Sequence, residues 1–68
     1  MYEKMIYESI KAAEELIAQY KKELIDAENG TGMCTGLSKS TRDSIAKQLR
    51  SAIKSNEDSI KFYKEEIA

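Results

Sequence analysis

The sequence has no histidine, no proline and no tryptophan, and it holds one cysteine, Cys34. Without histidine, the commonest general base and the commonest metal ligand are both missing. One thiol among scattered carboxylates makes no tetrahedral metal site, so no metal or other cofactor is expected. Cys34 has no partner for an intrachain disulfide, and a lone thiol suits a reducing compartment. Neither Gly32 nor Gly36 is followed by the Gly-Lys-Ser/Thr order of a phosphate-binding loop of the Walker type. No apolar run approaches membrane-spanning length, and the first residues lack the cationic-then-apolar layout of a secretory signal. A cytoplasmic protein with no membrane partner is expected. The adjacent acids Glu14-Glu15 and Glu65-Glu66 splay apart on a helix and read as solvated surface, so no enzyme activity is expected.

Sixty-eight residues allow one small domain, 1–68. A chain this short has a marginal core, and small scaffolds are reinforced by disulfides, metals or association. With the first two set aside, a homo-oligomer, or a chain completed by a partner, is expected. The net charge of −1 is unevenly spread. Residues 2–28 carry seven acids against four lysines, whereas residues 38–54 carry Lys39, Arg42, Lys47, Arg50 and Lys54 against Asp43 alone. Lys47, Arg50 and Lys54 share a helical face, as a phosphate-tracking stripe would. The simpler use of these cations is pairing with Glu23, Asp26 and Glu28 across a helical hairpin, so nucleic-acid binding is not expected.

What is present is helix-forming sequence. Residues 2–28 lack glycine and are rich in Glu, Lys, Ala, Leu and Ile, most of them strong helix formers. Ile6, Ile10, Ala13, Ile17, Tyr20, Leu24 and Ala27 follow a +4, +3 alternation, an unbroken heptad seam for helix-on-helix packing. Beside it runs a shorter stripe, Met5, Ser9, Ala12 and Leu16, which implies a second neighbour along the N-terminal half. Met5, Ile6, Ala12, Leu16, Ile17 and Tyr20 are therefore the expected oligomer interface. Asn29-Gly30 stops the helix. A second helix is expected over 41–67, with Ser40 and Asp43 approximating a capping box, and with Ile45, Leu49, Ile53, Asn56, Ile60, Tyr63 and Ile67 at helical spacing. Asn56 either fixes register from within the seam or lies at its wet edge. Tyr2, Tyr7, Phe62 and Tyr63 would meet at the end carrying the chain termini. The expected fold is all-α: an antiparallel two-helix hairpin of coiled-coil type, assembling into a multi-helix bundle.

All three glycines fall in the stretch Asn29–Arg42, with the cysteine and five hydroxyl residues. A loop over 29–40 is longer than a helical hairpin needs. Glycines can turn several N–H groups toward one anion, and a helix N-terminus adds unpaired donors. Gly30, Thr31, Gly32, Thr35, Gly36, Ser38, Lys39, Ser40, Thr41 and Arg42 thus form an expected anion or nucleotide cradle. Each also has an ordinary use in turns, caps and solubility. Met33 and Leu37 give the same loop apolar atoms. The leading expectation is a small non-catalytic binding or inhibitor-type protein that acts by occupancy. It would oligomerise through the first helix and sequester a phosphorylated small molecule at the loop. One alternative is an inhibitor or adaptor that blocks a target protein through a helix face. Another is a purely structural coiled-coil dimerisation module.

Overall fold

A computed structural model describes residues 2–67; Met1 and Ala68 of the expected 1–68 domain lie outside the described residues. Two helices make up almost all of it: α1, Tyr2–Asn29, and α2, Lys39–Ile67, joined through a 3₁₀ turn at Gly32–Cys34. They pack against each other along their length as a hairpin measuring 47 × 16 × 11 Å. No helix among the described residues is long and apolar enough to cross a membrane.

The heptad seam of α1 is the inner face. Ile6, Ile10, Ala13 and Ala27 are buried, and Ile17, Tyr20 and Leu24 are half-buried. On α2, Ala46 and Ile53 are buried while Ile45, Leu49, Ile60, Tyr63 and Ile67 are half-buried against the same seam. Two helices alone enclose little volume, so among the described residues no large side chain falls below 2 % exposure. Asn56 is half-buried, and its amide donates to the carbonyl of Ala52 one turn back on its own helix, at 2.9 Å. That bond ties it to α2 rather than to a register partner on α1. Of the aromatic side chains, Phe62 and Tyr63 meet edge to face, centroids 5.9 Å apart. Tyr2 and Tyr7 are 64 % and 58 % exposed, so the aromatic end is not closed upon itself.

α2 starts at Lys39, two residues ahead of the expected Thr41, because its cap is Ser38 and not Ser40. The Ser38 hydroxyl accepts from the Thr41 N–H at 3.2 Å, and the Ser38 carbonyl accepts the first helical bond from the Arg42 N–H at 2.9 Å. This is the N-cap arrangement, with Thr41 at the third helical position. Asp43, expected to close a capping box on Ser40, instead takes an ion pair from Lys39 at 3.3 Å.

Candidate functional site

Two regions compete as the functional site: the interhelical loop, and the flank of α1 that α2 leaves uncovered.

The loop is held mostly by its own chain. α1 ends at Asn29, and Gly30 takes the left-handed conformation, φ +69°, that caps a helix. The N–H groups of Gly30 and Thr31 both donate to the Asp26 carbonyl, at 2.8 and 3.0 Å. The Asp26 side chain then folds toward the loop. Its Oδ1 accepts from the Thr31 hydroxyl at 3.1 Å, and its carboxylate lies so close over Gly32 that a Cβ there would come within 2.5 Å of Oδ2. Gly32 also has φ +55°, a conformation that favours glycine, and an added Cβ would have to push the Asp26 carboxylate aside. Beyond it the Cys34 N–H donates to the Thr31 carbonyl at 3.0 Å, and the Thr35 hydroxyl donates to the Gly32 carbonyl at 2.8 Å. Cys34, 3 % exposed, plugs the end of the hairpin against Ala27 and Ala46, with Leu24 and Ile45 around them. The length of the connector is thereby explained. It must leave α1, drop a side chain into the core and rise again to Ser38.

The residues expected to form an anion cradle are brought together in this loop, but their donors are largely engaged. Thr31 gives its hydroxyl to Asp26, Thr35 to Gly32, and Ser38 to the Thr41 hydroxyl at 3.0 Å. Lys39 pairs with Asp43. Arg42 turns away from the loop's outer surface: its Nη1 donates to the carbonyls of Ala27 and Glu28, at 3.0 and 3.2 Å. Its Nε is buried with no hydrogen-bond partner. The guanidinium also lies against Gly30, where a Cβ would stand 3.3 Å from Cζ. Ser40 and Thr41, exposed at the start of α2, keep hydroxyl protons that no described residue receives, and Gly36 stands in open space. Across the hairpin, Arg50 pairs with Glu28 at 3.1 Å, the one contact of the expected acid–base set that forms among the described residues.

The sequence-derived interface residues divide into two groups. Ile6 is buried, and Ile17 and Tyr20 are half-buried, all on the seam that α2 covers. Met5, Ala12 and Leu16 face outward, Met5 at 65 % and Leu16 at 40 % exposure, with half-buried Ser9 between them. The loop tip adds an exposed Met33 and a partly exposed Leu37. No group of three or more acids and cysteines among the described residues is placed to hold a metal ion.

Sequence reasoning missed the roles of Asp26, Arg42 and Cys34. A signal for the first two was readable. The last turn of a helix favours cations and the first turn favours acids. The last turn of α1 carries Asp26 and Glu28 and no cation, while Arg42 lies in the first turn of α2, which has no acid. Residues that oppose their own helix dipole are residues to be matched with the neighbouring helix end. Cys34 gave no such signal, because only the path of the loop decides whether one small apolar residue points inward.

No protein-family model matches the chain, and neither a curated protein nor a solved structure is significantly similar to it.

Proposed function

We propose that this chain is a small non-catalytic binding protein that acts by occupancy, and that it makes its contact through the uncovered flank of α1. The observation that carries this reading is the exposure of Met5 and Leu16 on a helix whose adjacent seam is already satisfied by α2. A hairpin has no further use for a second apolar stripe, and two helices bury too little for the stripe to be surplus core. The loop supports the anion-cradle reading less well. Arg42, its best cation, serves α1, and a carboxylate of the chain itself lies over Gly32. What remains for an anion is the exposed start of α2 with the Ser40 and Thr41 hydroxyls, and a Lys39 already paired with Asp43.

Native mass spectrometry of the gently purified chain tests the choice. The expected result is a complex holding more than one polypeptide, lost in Leu16→Glu and kept in the double variant Lys39→Ala, Ser40→Ala. A single polypeptide with bound mass of nucleotide size, released in that double variant, would replace the flank reading by the loop reading.

A further inference from the structure

We infer that the uncovered flank of α1 is a self-complementary seam on which a second copy of this chain docks antiparallel, with Met5 of each copy opposite Leu16 of the other. The inference rests on the occupancy reading above and names its partner.

The spacing of the stripe is the first ground. Met5, Ser9, Ala12 and Leu16 are separated by +4, +3 and +4, a pattern that reads the same from either end. A twofold contact between two copies of one helix, run antiparallel, needs that property, because each residue must meet the mate of its mirror position. Aligned about the midpoint, the two large side chains at the ends cover each other, Met5 against Leu16. Ser9 meets Ala12 in the middle, where small side chains let the helix axes approach closely.

Charge is the second ground. At roughly 100° per residue, the flank of α1 and the α2 residues Gln48, Ser55, Ser59 and Phe62 turn to the same broad side of the hairpin. The opposite side carries Glu28 and Arg50, whose exposed ion pair marks which way the two helices are rolled. The α1 stripe itself carries no charge from Met5 to Leu16, and Phe62 is 56 % exposed on the same side. On α1 the charges of this stretch stand at its margin, where Glu8 and Glu15 run beside Lys4 and Lys11, and on α2 Glu66, five turns beyond Gln48, reaches the same side near the termini. A stripe without charge can be covered by a second copy without burying an unpaired ion.

Area is the third. A compact protein of 7.7 kDa exposes roughly 4,300 Å², whereas this hairpin exposes 5147 Å². Its radius of gyration is 14.9 Å, against about 11 Å for a compact chain of this length. The surplus of roughly 800 Å² equals what one partner contributes to an interface of standard size. Two hairpins stacked on this side form a four-helix bundle and remove the surplus.

Directed disulfide formation and sedimentation equilibrium on the 68-residue chain test the inference. Met5→Cys and Leu16→Cys are made separately, each with Cys34→Ala, then mixed and oxidised. The expected product is the mixed disulfide, formed at least tenfold faster than either variant links to itself. Positions 5 and 5, or 16 and 16, would lie about 16 Å apart along the seam, well beyond the reach of a disulfide. Wild type is expected to sediment as a dimer, and Ala12→Glu and Leu16→Glu as monomers that keep their helical circular dichroism. Preferential self-linking overturns the register, and a wild-type monomer at every concentration overturns the second copy as partner; the flank then stays open to a different protein. A dimer indifferent to both glutamates but opened by Arg50→Glu overturns this inference together with the flank reading it rests on.

Discussion

Arg42 stands in the first turn of α2 yet completes the last turn of α1: its Nη1 donates to the Ala27 carbonyl at 3.0 Å and to the Glu28 carbonyl at 3.2 Å. The end of a helix leaves carbonyls without intrahelical partners. Here Asp26 receives two loop N–H groups, and Ala27 and Glu28 receive a side chain from the other helix. The placement is also favourable for charge. A cation is poorly placed at the start of its own helix, but an antiparallel hairpin sets that position beside the negative end of the neighbour.

Arg42→Ala should therefore destabilise the hairpin by about 1–3 kcal/mol, since it orphans a part-buried carbonyl and removes the cation. For a chain of this size each kcal/mol corresponds to roughly 4–8 °C in Tm. Arg42→Lys should recover only part of the loss, because an ammonium lacks the planar fork that spans two carbonyls. Thermal melts followed by circular dichroism check both; an unchanged Tm in Arg42→Ala would remove the cross-helix cap.

Gly32→Ala should be the costlier of two loop substitutions. At Gly36, φ is +82° but an added Cβ meets nothing, so the penalty is conformational alone, about 1 kcal/mol. At Gly32 the same penalty is joined by a collision with the Asp26 carboxylate. Combining Gly32→Ala with Asp26→Ala should give less destabilisation than the sum of the two single changes, a coupling that a double-mutant cycle reads directly. Strict additivity would mean that the two residues do not touch.

Ser38→Ala should cost about 1 kcal/mol, the usual worth of a lost N-cap. Ser40→Ala should lie within about 0.5 kcal/mol of wild type, as for an exposed residue with no such role. Urea titrations of the pair separate them, and the reverse order would restore Ser40 as the cap.

The Cys34 thiol should react with a water-soluble disulfide reagent far more slowly in the folded chain than in denaturant, because it is sealed between Ala27 and Ala46. Arg42→Ala should speed the folded-state reaction by loosening that end of the hairpin. Replacing residues 31–37 by a Gly/Ser connector should lower stability whatever the protein binds, since it removes Cys34 from the core. Equal labelling rates with and without denaturant would place the thiol outside the core.

The sequence by itself determined the two helices, their antiparallel pairing and the seam between them. Those features follow from local preference and from period: Ile6, Ile10, Ala13 and Ala27 fall on one side of any α-helix and are the residues found buried. The stop at Asn29-Gly30 was equally local, since only a residue tolerant of positive φ ends a helix in that way. The tertiary structure alone decided how the loop spends its polar groups. Read along the chain, Thr31, Lys39 and Arg42 were donors in search of an anion. In the fold they lie within reach of Asp26, Asp43 and the carbonyls at the end of α1. Periodicity fixes which residues share a face because that depends on neighbours three and four positions away. Which donor meets which acceptor across residues 26–43 depends on where the turn sends the backbone, and no spacing rule carries that.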